Sequence, residues 1–220
     1  MTISSGLVCH NVIVHMVSAA KSPRKEREKL QHRQEILSVA LRLFADKGFH
    51  NVSMHEIAAA AEFATGTLYN FFASKEDLFF ELLVSCAEGG LALILPALEG
   101  AGDERQKLSR FIRMHERIPV EQGTTIRLYL LESRGRCLPG PRVEAKKKEI
   151  DERVVSRLSE VIAAGVRKGL FNDVDPVVAA KCLSVTLESM ILNAIAEPQA
   201  ANLKGDLKKV EAVFFKGIVK

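Results

Sequence analysis

One short stretch of the chain carries uncharged polar side chains at a spacing that could contact a phosphate backbone and base edges. Hydroxyl, amide and phenol groups donate and accept hydrogen bonds, and a glycine permits the close approach of another molecule. A lysine beside them would add a charge for a phosphate. We therefore predict a nucleic-acid-binding surface made of Ser53, Thr65, Gly66, Thr67, Tyr69, Asn70 and Lys75.

The first of two short helices that would position these side chains begins with a capping pattern. Ser53 precedes Glu56 by three residues, which is the spacing of a capping box. Apolar residues at helical spacing then continue for two turns. We predict that this helix runs from Met54 to about Ala61.

The second short helix follows after a turn. Leu68 and Phe72 lie four residues apart, so both side chains face the same side of a helix. Thr67, Tyr69 and Asn70 then lie on the opposite side, which carries no charge. The pattern predicts a helix, a turn and a second helix that presents these polar groups outward.

This region resembles the amino-terminal helix-turn-helix of the TetR (tetracycline repressor) family of transcriptional regulators. The resemblance extends from Ile36 to Leu78 and rests on Gly48-Phe49, Val52-Ser53-Met54, Ile57-Ala58, Gly66-Thr67-Leu68-Tyr69-x-x-Phe72 and Ser74-Lys75-Glu76-x-Leu78. It implies a homodimer that binds double-stranded DNA at a palindromic operator, as a repressor released by a small-molecule effector. It also implies that the carboxy-terminal helices form a ligand cavity and a two-fold dimer interface.

Three positions depart from the family pattern. Glu62 stands at a turn position that is usually glycine, so we expect a strained or left-handed backbone there at a cost of roughly 1 kcal/mol. Ala64 replaces the usual serine cap, so the cap of the second short helix is either absent or supplied by Thr65. Phe71 occupies a place where the family often has tyrosine or histidine.

The rest of the sequence is typical of an all-α protein. Of its 220 residues, 47% are hydrophobic and 26% are charged, which is ordinary for a globular chain. Prolines lie mostly between helical patterns, and strict alternation of apolar and polar residues is rare. We predict a flexible basic arm over residues 1–28, a helix-turn-helix domain over residues 29–78, and a helical ligand-binding and dimerisation domain over residues 79–220.

Longer helical patterns flank the short ones. The first helix is predicted from about Glu28 to Lys47, where Gly48 is placed as a C-cap. The fourth is predicted to start after Ser74, with an interruption at Gly89-Gly90 and an end near Pro96. Further patterns follow to the end of the chain without a repeat of fixed period.

The basic excess lies at the amino end. Residues 21–34 contain six basic and two acidic residues, and the whole chain also has a net charge of +4. Such a run is most often a solvated tail, but beside a DNA-reading motif it is a candidate arm for phosphates or the minor groove. No basic residue precedes the apolar part of the first twenty residues, so we expect no secretory signal and no membrane association, and a cytoplasmic location. Met1 and Met16 are both candidate translation starts.

The sequence contains no recognisable catalytic motif. No phosphate-binding loop, His-Glu-x-x-His motif or nucleophile elbow occurs, and four scattered cysteines match no metal or redox spacing. We therefore expect no enzyme activity, no catalytic residues, no metal and no cofactor. The alternative to a DNA-binding regulator is a helical sensor or adaptor protein that does not bind DNA.

Polar residues within apolar helices are candidates for an effector site. Thr186, Ser189 and Asn193 share one stripe, and they either line a pocket or form hydrogen bonds across a helix pair. His115 lies on an apolar face, where it could sense a ligand, although a hydrogen-bonded core histidine is the commoner case. The predicted ligand-binding set is Phe111, His115, Tyr129, Thr186, Ser189, Met190 and Asn193.

The last two helical patterns carry more apolar surface than one chain would cover. The segment from Pro176 to about Glu197 is apolar almost all round, so we expect it to be buried on several sides. The segment from Leu203 to Lys220 has one apolar stripe, and surplus apolar surface normally marks an association site. We predict an intermolecular four-helix bundle with an interface of Leu187, Ile191, Leu207, Val210, Phe214 and Ile218.

Overall fold

A computed structural model describes residues 24–134 and 140–219 of the chain. Over these residues the fold is all-helical, as predicted. The α-helices are α1 (Arg24–Lys47), α2 (Met54–Ala60), α3 (Thr65–Phe71), α4 (Lys75–Ile94), α5 (Glu104–Met114), α6 (Ile118–Arg134), α7 (Pro141–Arg167), α8 (Pro176–Ala196) and α9 (Leu203–Ile218). Short 3₁₀ helices, Leu95–Leu98 and His115–Arg117, follow α4 and α5.

The described residues belong to two compact units. Among the described residues, the first takes in 24–89, 124–134 and 140–143, and the second takes in 90–123 and 144–219. The predicted functional boundary between residues 78 and 79 falls inside α4 and stays a prediction.

The core of the first unit fixes the two short helices. Three phenylalanine rings lie in contact at its centre, with centroids 5.3 Å apart for Phe44 and Phe49 and 5.0 Å apart for Phe49 and Phe79. Apolar side chains from α1 to α4 and from α6 pack together to bury α2 and α3 on one side. The buried cluster consists of Ile36, Leu37, Ala40, Phe44, Phe49, Val52, Met54, Ile57, Ala58, Leu68, Phe72, Leu78, Phe79, Leu82 and Leu128.

Helix α1 begins earlier than the sequence suggested. It starts at Arg24 rather than near Glu28, and an ion pair of 2.7 Å joins these two side chains one turn apart. Residues 24–28 are therefore helical and not part of a flexible arm. The rest of the predicted arm, residues 1–23, lies outside the described residues.

Helix α4 continues through Gly89 and Gly90, so the predicted interruption is wrong. A helical glycine costs about 1 kcal/mol relative to alanine, but buried neighbours such as Leu91 and Ile94 hold this helix by packing. Both α4 with its 3₁₀ extension and α8 are long and apolar enough to cross a membrane by length and composition alone. This is weak evidence, because core helices of soluble proteins pass the same test.

In the second unit, α8 packs against α9. One stripe of α8 is buried, namely Ala180, Leu183, Leu187, Ile191 and Ile195. Its other side leaves Val178 and Val185 exposed. The expectation that α8 is buried on several sides therefore does not hold within one chain.

Candidate nucleic-acid interface

At the start of α2, one of the two hydrogen bonds of the predicted capping box is formed. Ser53 has an extended backbone, and its Oγ accepts a hydrogen bond of 3.1 Å from the Glu56 amide. The Glu56 carboxylate does not complete the capping box and instead pairs with Lys47, which lowers the pKa of that carboxyl. The Ser53 hydroxyl hydrogen remains at the exposed surface, where it can donate to an incoming oxygen.

The turn between α2 and α3 is a Schellman motif with glutamate in the glycine position. The Phe63 amide donates to the Ala58 carbonyl at 2.9 Å, and the Glu62 amide donates to the Ala59 carbonyl at 3.2 Å. Glu62 has a φ of 60°, which confirms the left-handed backbone expected from the sequence. The turn geometry therefore matches that of a glycine turn although the residue is glutamate.

We expect Glu62→Gly to stabilise the protein by roughly 0.5–1 kcal/mol, because glycine adopts a positive φ without a steric penalty. Urea unfolding monitored by circular dichroism measures the change. The control is Ala59→Gly in the exposed last turn of α2, which should destabilise by about 1 kcal/mol. A loss of stability in Glu62→Gly would show that the glutamate side chain contributes more than its backbone costs.

Helix α3 presents its polar residues outward because two buried side chains anchor it. Leu68 and Phe72 are almost fully buried, while Tyr69 is 51% exposed and Asn70 is exposed. A Cβ built on Gly66 meets nothing within 4 Å, so the protein's own packing does not require glycine there. Open backbone at this position suits the close approach of another molecule.

The start of α3 has no side-chain cap. Its N-cap residue is Ala64, so the first of the two expected alternatives holds. The hydroxyl of Thr65 lies instead 3.0 Å from Nδ1 of His55, which is the second residue of α2. This contact ties the two short helices together at the exposed surface.

Lys75 does not point outward, which corrects its assignment as a phosphate contact. Its Nζ donates to the carbonyls of Phe49 and Val52, each at 2.9 Å, with the His50 carbonyl at 3.5 Å. The ammonium also lies 4.4 Å from the centre of the Phe49 ring. Lys75 therefore holds the α1–α2 loop, and its donors are already engaged.

Arg33 also has a structural role that its place in the basic segment did not reveal. It donates to the Phe71 carbonyl at the end of α3 at 3.0 Å and pairs with Glu81 of α4 at 3.0 Å. Its guanidinium lies 4.6 Å from the centre of the Phe72 ring. These contacts fix the end of α3 to α1 and α4.

Four of the seven predicted residues line one groove. Ser53, Thr65, Tyr69 and part of Lys75 line a shared groove, and Gly66, Thr67 and Asn70 lie along α3 beside it. The groove also includes His50, Asn51 and His55, which sequence reasoning did not include. Their position within five residues of Ser53 was the only signal that could have placed them there.

The structure resolves the two alternatives for His115. The side chain is buried, its Nδ1 lies 2.8 Å from the Phe111 carbonyl, and its ring contacts the Phe111 ring with centroids 4.7 Å apart. Burial lowers the pKa of His115 to about 4, partly offset by that hydrogen bond. It is a hydrogen-bonded core histidine that stays neutral near pH 7, so it does not sense charge there.

In the part of the chain that the structure describes, the polar stripe of α8 lies at or near the protein surface. Ser189 and Asn193 are exposed, and the Thr186 hydroxyl donates to the Cys182 carbonyl of its own helix at 2.7 Å. The Thr186 hydroxyl is thus satisfied within its own helix, and the two alternatives for this stripe, a pocket or a helix pair, stay predictions. Tyr129 and Met190 are half-buried, and their ligand role stays a prediction.

Four of the six predicted dimer residues cannot supply surface to a partner in this arrangement. Leu187, Ile191, Leu207 and Ile218 are buried within the chain itself, which corrects their assignment. An amphipathic helix turns its strongest stripe toward its own core first. Val210 and Phe214 are half-buried and remain predicted interface residues.

Comparison with known proteins finds a family that matches the segment containing α2 and α3. Residues 36–82 match the family described as bacterial regulatory proteins, tetR family. The chain is 47% identical over 60 residues to the HTH-type transcriptional regulator AcrR of Shigella flexneri, covering 27% of this chain and 28% of that protein. It is 35% identical over 68 residues to the HTH-type transcriptional regulator LuxR of Vibrio harveyi, covering 31% and 33%. The matches thus span about a third of these relatives.

A solved structure extends the similarity of fold to most of the chain. A putative transcriptional regulator from Saccharomonospora viridis, solved in complex with choline, aligns with a TM-score of 0.71 and 22% identity. The alignment covers 86% of this chain and 98% of that one. The helical fold is therefore shared well beyond the segment that matches in sequence.

Proposed function

We propose that this chain, whose residues 36–82 match the tetR family of bacterial regulatory proteins, is a dimeric DNA-binding transcriptional regulator. It acts as a repressor that a small-molecule effector releases from a palindromic operator. The observation that carries the proposal is the exposed, uncharged polar face of α3, fixed to the core by Leu68 and Phe72. Such a face suits the major groove, where hydroxyl and amide groups can read base edges.

DNA contacts divide into those that position the protein and those that read sequence. In this proposal Thr67, Tyr69 and Asn70 on α3 meet base edges and nearby phosphates, and Ser53 meets the flanking DNA backbone. Exposed cations at the start of α1, including Lys25 and Lys29, supply the sequence-independent attraction to phosphates. Lys75 contributes indirectly by holding the loop that precedes α2.

A two-fold dimer would give the protein the symmetry of its operator. Two copies of α3 about 34–36 Å apart would enter successive major grooves of B-DNA. The exposed valines of α8 and α9, Val178, Val185 and Val213, offer apolar surface for an isologous contact. Val210 and Phe214 lie within one turn of Val213 on α9, and the partner subunit would cover them in the same contact.

The effector would act by binding one arrangement of the dimer better than the other. A ligand changes an equilibrium only as far as its affinities for the two states differ. Helix α4, which follows α3 directly and is tied to its end through Glu81 and Arg33, is the element through which we expect release to operate. The binding of choline belongs to the Saccharomonospora viridis protein, and for this chain we propose only a small molecule. No enzyme activity is part of the proposal, and a DNA-bound role places the protein in the cytoplasm.

We expect Tyr69→Ala to weaken binding to a DNA sequence selected from a random library by about tenfold or more, because one good base or backbone contact contributes roughly 1–3 kcal/mol. Fluorescence anisotropy measures affinity, and thermal unfolding should change little because the ring is half exposed. Tyr69→Phe separates the hydroxyl from the ring. Equal affinity of Tyr69→Ala and the wild type would remove Tyr69 from the interface, and an absence of DNA binding by the wild type would favour the sensor or adaptor alternative.

A further inference from the structure

We propose that His55 is a specificity-determining residue that sets whether the Thr65 hydroxyl donates or accepts a hydrogen bond at DNA. The assignment rests on the proposed function and adds to it a residue that does not itself have to touch a base. Nδ1 of His55 lies 3.0 Å from Oγ1 of Thr65, and both residues line the groove beside Tyr69.

The position of Thr65 at the start of α3 makes it matter whether its hydroxyl donates or accepts a hydrogen bond. Thr65 is the first residue of α3, and Ala64 before it provides no side-chain cap. Thr65 is a half-buried residue that lines the groove, and its hydroxyl contacts His55. A hydroxyl has a single hydrogen to donate. If that hydrogen is donated to His55, the Thr65 oxygen can only accept a hydrogen bond from another molecule.

The hydrogen-bonding state of His55 Nδ1 decides which group of Thr65 faces the DNA, and in this proposal the neutral ring is the tautomer that carries its hydrogen on Nε2. When Nδ1 carries no proton, it accepts the Thr65 hydrogen, and the hydroxyl oxygen is left as an acceptor for the amino group of adenine or cytosine. When both ring nitrogens are protonated, Nδ1 donates to Oγ1, and the hydroxyl hydrogen turns outward. It can then donate to guanine N7 or O6, to thymine O4 or to a phosphate oxygen.

Protonation of an imidazole falls in the range where DNA binding can be measured. Histidine changes its charge between about pH 5 and pH 8. The other ionisable groups near this contact have partners of their own. Glu56 pairs with Lys47, His50 pairs with Glu132 at 3.1 Å, and the Lys75 ammonium binds backbone carbonyls.

Two further titratable groups complete the surroundings of this contact. The Tyr69 phenol lines the same groove from α3, and Glu62 is exposed on the turn between α2 and α3. Neither has a hydrogen bond to the His55 ring among the described residues. Protonation of the His55 ring would therefore act on DNA through its hydrogen bond with the Thr65 hydroxyl.

The test is a selection from a random double-stranded DNA library with the full-length protein at about pH 8 and about pH 5.5. We expect the preference at one base pair of each half-site to change by about three- to tenfold between the two selections, the effect of one hydrogen bond. Guanine or thymine, which the outward hydroxyl hydrogen can reach at O6, N7 or O4, should be enriched over adenine and cytosine at the lower pH. His115 does not titrate in this interval, because burial lowers its pKa to about 4.

Four variants assign the change to this pair of residues. His55→Ala and Thr65→Val should abolish the pH-dependent change at that base pair, whereas Thr65→Ser should retain it. The matched control is His50→Ala, which removes the other imidazole of the groove and should leave the change in place. If His55→Ala does not fold, Thr65→Val still tests the assignment, because it keeps the shape of the side chain and removes only the hydroxyl.

The outcomes separate this assignment from the function on which it rests. DNA binding with the same base preference at both pH values would overturn the role of His55 and leave the proposed function intact. A change that persists in Thr65→Val or disappears in His50→Ala would also overturn it. Failure of the wild type to select any DNA sequence at either pH would overturn the proposed function and the assignment together.

Discussion

Lys75→Met should lower the free energy of unfolding by about 2 kcal/mol and leave the salt dependence of DNA affinity unchanged. The ammonium donates to the carbonyls of Phe49 and Val52, and its removal leaves both carbonyls without that partner. Hydrogen bonds to charged groups contribute about 1.5–3 kcal/mol, and the contact with the Phe49 ring adds to this. Urea unfolding and a plot of log affinity against log salt concentration measure the two quantities.

A matched pair of lysines makes this prediction specific. Lys25→Met removes an exposed cation at the start of α1, so it should leave stability unchanged and reduce the salt slope by about 1. Lys75→Met should show the reverse pattern. If Lys75→Met reduced the salt slope by about 1 without a loss of stability, the lysine would leave the loop and contact a phosphate in the complex.

The two short helices were predictable because their signals are local. The Ser53 cap and the spacing of Leu68 and Phe72 each depend on residues within about one turn. The backbone at Glu62 was expected from the resemblance to a family that usually has glycine at that position. The direction of Lys75 was not predictable in this way, because its acceptors lie 23 and 26 residues earlier in the chain. The partners of Arg33 on α3 and α4 are equally remote in sequence, so the basic segment looked more available for DNA than it is.

The contact between His55 and Thr65 shows a further limit of pattern reasoning. Ten residues and a turn separate the two side chains, and the distance between them depends on the left-handed backbone at Glu62. The sequence indicated that Ala64 would leave α3 without its usual cap, but not where the neighbouring hydroxyl would point. Tertiary geometry supplied that part of the site.

Helix α8 illustrates why hydrophobic composition could not identify the dimer residues. An apolar helix can be covered by its own chain, by a second copy or by both, and its composition is the same in each case. In this chain the stripe that includes Leu187 and Ile191 is covered internally. The surface available to a partner is therefore the opposite side, where Val185 is 64% exposed.

Val185→Glu should convert the protein to a monomer in sedimentation experiments and lower operator affinity by about 100-fold or more. An unpaired charge is costly to bury, so a glutamate here would disfavour an apolar interface. A monomer loses the effective concentration by which one bound half-site assists the other, an effect of about 10²–10⁴. Val213→Glu on α9, where the valine is 71% exposed, should act in the same way.

The matched control for this prediction is Val120→Glu, because Val120 is also an apolar residue with 69% exposure but lies on α6. It should remain a dimer with full affinity.

Phe214→Glu is a poorer test, since Phe214 is half-buried in its own chain and contacts Phe215, so a loss of the dimer could follow from damage to the protomer. If Val185→Glu and Val213→Glu stayed dimeric while Val120→Glu became monomeric, the interface would lie on α6. Because the residues of α2 and α3 are unchanged in all three variants, a loss of operator affinity that tracks the loss of the dimer would mean that tight binding requires two copies of α3.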